Sequence, residues 1–199
     1  MKKRIFLVLI AFACFSSYAQ KEGGFRVGLD LGVVPSNGGG GLLLSLEPKY
    51  NIKDNMNIGL RMGLAAIVRD VKQSNGQVDS AKLSANSSFV GTYDYYFSTS
   101  GKSFVPYIGG GAGYYAIGNV EFDESDVNSG TQLQPETNGV FGGLVRAGFE
   151  WGKFRMGLEY NLMPDTSLQD TNGVDQGTVA NSYLGIHLGF YLGGGKWRK

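Results

Sequence analysis

One stretch constrains this chain more than any other: Val140–Leu162, VFGGLVRAGFEWGKFRMGLEYNL. Side chains of a strand change face at every residue, so its strict alternation reads as sheet. Gly152-Lys153 suits a two-residue hairpin loop, with glycine supplying the positive φ of a type II′ turn. That loop sets Trp151 opposite Phe154 and, counting back, Glu150 opposite Arg155 and Arg146 opposite Glu159. One face then carries Val145, Ala147, Phe149, Trp151, Phe154, Met156, Leu158 and Tyr160. The other carries the two opposite-charge pairs, with Gly148 and Gly157 between them. Two environments satisfy such a hairpin. In a soluble sheet the charged face is wet. In an inverted barrel the apolar face meets lipid and the charges pack in the lumen, each partner offsetting part of the other's desolvation.

The rest of the chain decides between them. Residues 1–19 read as a secretory leader, in which Lys2, Lys3 and Arg4 precede an apolar run and Ser17 and Ala19 form a small-residue cleavage site. The run is too short to span a bilayer as a helix. Cys14, the single cysteine, lies within it, so a mature chain beginning at Gln20 carries no thiol chemistry. Loss of the three basic residues takes the formal charge from +1 to −2, and no basic block points to nucleic acid. Residues 20–199 suit one domain.

Eight alternating segments follow: 24–34, 41–52, 56–68, 81–97, 104–118, the two hairpin arms, and 180–192. Segments of about ten residues suit tilted membrane strands, and none is apolar enough for a spanning helix. Glycine, 32 in all, recurs inside these segments, as a tightly curved sheet requires. In 104–118, Gly109, Gly111 and Gly113 share a face with Tyr107 and Tyr115. The short connections 53–55, 98–103 and 152–153 alternate with the long polar ones 69–80, 119–136 and 163–179; only 35–40 breaks the pattern. Short turns on one rim and long loops on the other match an outer-membrane barrel, with both termini on the short-turn side. The aromatics agree. Phe25, Tyr50, Tyr95, Phe97, Phe104, Phe149, Trp151, Phe154 and Phe190 fall near the short-turn rim of the apolar face, and Tyr114 and Tyr160 towards the other. A soluble core has no reason to sort rings to one end, whereas a membrane interface does.

Together these features resemble the small outer-membrane β-barrel family that includes the OmpA transmembrane domain and the OmpX-like and OmpW-like proteins. The resemblance spans essentially all of residues 20–199. Its most specific element is Tyr183-Leu-Gly-Ile-His-Leu-Gly-Phe190, which is similar to the family's carboxy-terminal assembly signal, carried here by Tyr183, Gly185, Leu188 and Phe190. Pro106–Tyr115, PYIGGGAGYY, is also typical of these barrels. The chain departs from the pattern by continuing past Phe190 through 191–199. The resemblance implies an eight-stranded antiparallel up-and-down transmembrane β-barrel in the outer membrane. Its implied partners are membrane lipid and lipopolysaccharide, the barrel-assembly machinery, and an extracellular loop partner of unknown identity.

Within such a barrel the lumen face carries Arg26, Lys49, Arg61, Arg146 and Arg155 against Asp30, Glu47, Asp94, Glu150 and Glu159. Five charges of each sign suggest a plug of ion pairs, because an eight-stranded interior is just wide enough for side chains. An ion or proton path through the network is the alternative. His187, the single histidine, falls mid-strand on the lumen face with no serine beside it, which suits a hydrogen-bonded lumen residue better than a catalytic base. One histidine and no mature cysteine argue against zinc. Glu121, Asp123, Glu124 and Asp126, and further on Asp170, Asn172 and Asp175, offer oxygen ligands for Ca²⁺, but neither group matches the full calcium-loop pattern. No cofactor is implied. The expected role is structural or interactive, exerted through the outer loops; a narrow channel or transporter is the main rival, and an enzyme ranks third.

Overall fold

The computed structural model describes residues 22–36, 39–72, 78–97, 103–122, 136–169, 175–179 and 181–193. The leader expected over 1–19 lies outside them, and so do Asp123, Glu124, Asp126, Asp170 and Asn172. Ten strands run through the described residues: β1 (Phe25–Ser36), β2 (Gly39–Lys53), β3 (Met56–Lys72), β4 (Val78–Tyr96), β5 (Phe104–Phe122), β6 (Glu136–Trp151), β7 (Phe154–Leu162), β8 (Thr166–Gln169), β9 (Asp175–Val179) and β10 (Tyr183–Gly193). Eight of them close into one antiparallel barrel, with each strand beside its chain neighbours and β1 sealed against β10. The remaining two, β8 and β9, pair only with each other.

Alternation sets which way each side chain points. Along β7 exposed and buried residues alternate without a break. The pattern is inverted relative to a water-soluble protein: Leu31 is 63% exposed and Phe141 79%, while the ten charged residues named above are at most 3% exposed. An apolar wall of that extent has no place in water and suits lipid. Aromatic rings crowd the end that carries the turns at 54–55 and 152–153. There Phe25 pairs with Tyr50, and Trp151 with both Phe104 and Phe154. The rings of Phe104 and Phe149 lie 4.7 Å apart. At the other rim Tyr114 meets Phe141 edge-on at 5.7 Å.

The hairpin register is the one the sequence dictates, from Trp151↔Phe154 to Arg146↔Glu159. Gly152 has a φ of +63°, and no described residue other than glycine has positive φ, which makes the turn type II′. Two expectations need correction. First, β3 runs to Lys72, β4 starts at Val78, β5 runs to Phe122 and β6 starts at Glu136, so strand takes 69–72 and 78–80 of the loop expected at 69–80 and the two ends of the one expected at 119–136. Backbone pairing needs no apolar face, and it continues past the level at which alternation can be read. Second, the loop expected at 163–179 contains the β8–β9 hairpin. Its base is tied down. The Met163 amide donates to Ser182 Oγ at 3.0 Å, the same hydroxyl donates to the Met163 carbonyl at 3.1 Å, and Asn181 Nδ2 donates to the Pro164 carbonyl at 2.7 Å.

The turn gives a first test. Gly152→Ala should destabilise the refolded protein in urea by about 1–2 kcal/mol, because the added Cβ meets the carbonyl oxygen in this conformation. Gly152→Asn should lose less, since asparagine tolerates positive φ.

Candidate functional site

The barrel interior is built in tiers, each of them charge-balanced. Nearest the short-turn rim, Arg26 forms a two-pronged pair with Glu150, at 2.9 and 3.0 Å. Tyr96 OH donates to Glu150 Oε1 at 2.6 Å and accepts from Arg26. The Arg26 guanidinium also stacks 4.0 Å above the Tyr191 ring. A delocalised cation between two phenols and a carboxylate is well matched to a site buried from bulk solvent.

The middle tier holds three cations and three anions. Arg146 grips two carboxylates at once, Glu47 at 2.6 and 3.0 Å and Asp94 at 2.8 and 3.0 Å. Lys49 bonds to Asp94 and lies 3.3 Å from Glu47. Arg155 reaches Asp30 at 2.9 Å and Glu47 at 3.2 Å and bonds to the Tyr191 hydroxyl. Thr92 and Ser45 donate to Glu47 and Asp30 at 2.6 and 3.1 Å. Above them Arg61 pairs with Glu159 at 2.6 Å, and Asn161 links Glu159 to the Tyr115 hydroxyl. The uppermost tier is apolar, with Val34, Leu43, Ile67, Val90, Ile117 and Leu144 buried inside the barrel wall and Met163 among them. Side chains therefore fill the lumen, and it is occluded.

The ion pairs do not follow the register, which corrects the pairing expected within the hairpin. Arg146 faces Glu159 and Glu150 faces Arg155, yet Glu150 goes to Arg26, Glu159 to Arg61, and both arginines reach other strands. Side chains that point into a narrow barrel converge on its axis, where a partner across the lumen is as near as one alongside. Two of the links skip a strand over a glycine. Asp30, Gly189 and Arg155 are register neighbours on β1, β10 and β7, and a Cβ on Gly189 would stand 2.0 Å from Asp30 Oδ1. Asp94, Gly109 and Arg146 repeat the arrangement on β4, β5 and β6, again with 2.0 Å to the carboxylate oxygen. The missing side chain is what lets acid and base meet over the strand between them.

Tyr96 and Tyr191 belong to this plug although their charged neighbours alone were singled out from the sequence. Parity would have found them: Tyr96 shares a face with Asp94, and Tyr191 with His187. His187 is buried, but the hydrogen bond expected for it is absent; its Nδ1 stands 3.6 Å from Asp30 Oδ1. On β10, Tyr183 and Gly185 face inward and Leu188 and Phe190 outward. Among the described residues no group of three or more His, Cys, Asp or Glu is arranged to hold a metal.

No family model matches the chain, and no curated protein matches it in sequence. Among solved structures it is similar to Neisserial surface protein A, with a TM-score of 0.53, 12% identity, and 86% of this chain and 97% of that one covered. It is also similar to the outer membrane protein OprG of Pseudomonas aeruginosa, at a TM-score of 0.49 and 15% identity over 87% of this chain and 98% of that one. A third is the N-terminal β-barrel domain of OprF from the same organism, at 0.47 and 14% over 87% and 100%. At 12% identity the likeness to Neisserial surface protein A is one of fold alone, and that fold is the eight-stranded antiparallel closed barrel.

Pairing across the lumen and pairing along the register predict different couplings. Arg146→Ala removes the shared cation of Glu47 and Asp94, which leaves three buried anions to two cations in the middle tier, and should cost about 3–5 kcal/mol in urea unfolding of the refolded protein. In double-mutant cycles Arg146 should couple strongly to Asp94 and combine additively with Glu159. Arg26 should likewise couple to Glu150.

Proposed function

We propose that the protein resides in the outer membrane with both termini on the periplasmic side. There it acts as a closed scaffold that holds its outer loops up to partners beyond the cell surface. The observation that carries this reading is the occluded lumen: ion-paired tiers and an apolar tier leave solutes no continuous polar path. Function then rests on the outside of the molecule. The apolar wall and its two aromatic rims suit membrane lipid and lipopolysaccharide. The tied base of the β8–β9 hairpin supports its use as a presented element rather than a slack tether. Tyr183, Gly185, Leu188 and Phe190 are proposed as the strand read by the barrel-assembly machinery, because β10 is the strand on which β1 closes. No enzymatic role is inferred; His187, the one imidazole, is sealed from substrates at 2% exposure.

Conductance tests the scaffold against the channel. The refolded wild type in planar bilayers should pass no steady current, and leak should appear in Arg146→Ala, where the central clamp is cut. Steady wild-type current that vanishes on neutralising Arg61 or Asp94 would establish a channel instead. Orientation is tested on intact cells: added protease should cut within 119–136 or 163–179 and leave Lys153 untouched. On gels the folded protein should run differently before and after heating, as closed barrels resist detergent until heated.

A further inference from the structure

The ten charges of the plug are fully matched without His187, five of each sign, so the imidazole is not needed for balance. It is nonetheless placed among atoms with unused hydrogen-bonding capacity. Asp30 Oδ2 accepts from Arg155 and Ser45, while Asp30 Oδ1, aimed at His187 Nδ1 from 3.6 Å, has no hydrogen-bond partner. On the other side of the ring, Nε2 and the Tyr107 hydroxyl are both buried without a hydrogen bond. Both converge on Gly157, where a Cβ would stand 2.8 Å from Nε2 and 2.5 Å from the hydroxyl.

The flanking register positions are glycines, Gly32 on β1 and Gly157 on β7, so neither register neighbour puts a side chain beside the ring. The charged and titratable groups facing it are Asp30 from β1, Arg155 and Glu159 from β7 and Tyr107 from β5. Arg155 has somewhere else to go, because it already touches Glu47 and Tyr191.

We propose that His187 is a proton-binding switch inside the plug: on taking up a proton it closes onto the free oxygen of Asp30 and displaces Arg155 towards Glu47. A neutral imidazole leaves five positive charges against five. A protonated one makes a sixth, and Asp30 is then shared by two cations on adjacent strands. Arg155 is the one with an alternative acceptor, so it moves. The seam affected is β1–β10–β7, where Arg155 reaches Asp30 over Gly189.

Because the chain has a single histidine, ¹⁵N labelling of histidine and arginine together gives one imidazole to follow by NMR in the refolded barrel, with the Arg155 Nε signal assigned by its loss in Arg155→Lys. The titration runs from about pH 8 to about pH 4, spanning the ordinary imidazole range. The expected result is one sigmoidal step in both ring nitrogens, with the Arg155 Nε resonance moving in the same step. In His187→Gln the Arg155 step should be absent. In Asp30→Asn the imidazole step should fall at lower pH, since the partner of the charged form is gone. Two results overturn the proposal: a ring that stays neutral throughout the range in which the barrel is folded, or a ring that titrates while Arg155 does not respond. Both are read on the wild type, and the first depends on no variant folding.

Discussion

Everything inside this barrel depends on one constraint: a buried charge must find an opposite charge without help from bulk water. Removing an ion from water costs several kcal/mol, and attraction in a low-dielectric interior offsets that only when geometry is good and spare lone pairs are satisfied. Eight strands enclose room for side chains and little else. Under that limit each tier is neutral by itself, and the arginines use their planar fork to serve two or three partners at once. Tyrosine hydroxyls and the Thr92 and Ser45 side chains fill positions that water would otherwise take. The apolar tier above them keeps solvent away from the network on the loop side.

The same constraint explains how the glycines are used. A strand lying between Asp30 and Arg155, or between Asp94 and Arg146, would hold them apart if it carried a side chain at that level. Gly189 and Gly109 remove the obstacle. At Asp94 the Arg146 fork meets both carboxylate oxygens, whereas at Asp30 Arg155 meets Oδ2 alone. Replacing either glycine by alanine would press a methyl group against the carboxylate, 2.0 Å from its Oδ1.

Much of this architecture was legible because parity in a strand is unforgiving. Once Gly152-Lys153 is a two-residue turn, every residue of the hairpin has its face and its opposite number assigned, and the ten lumen charges follow from parity elsewhere. The partners were not legible. Register fixes neighbours along the wall, but a small barrel brings opposite walls within reach of an arginine, and sequence separation says nothing about that. The apolar tier left a trace that alternation obscures. Leu42-Leu43-Leu44 and Leu64-Ala65-Ala66-Ile67-Val68 are continuous apolar runs, as expected where a strand is covered on both faces. The strand extensions past residue 68 and before residue 81 could not be read, because there neither face is consistently apolar.

The pairs that skip strands also bear on how the molecule can be put together. Arg26 and Glu150 are 124 residues apart in the chain, and Asp30 and Arg155 are 125 apart. No hairpin brings either couple together; they meet only when the first strand docks on the last. Before closure Glu150 and Arg155 have only each other as register neighbours; once β1 docks, Glu150 is held by Arg26 and Arg155 by Asp30. The plug thus records closure: its longest-range pairs exist only where the two ends of the sheet have met.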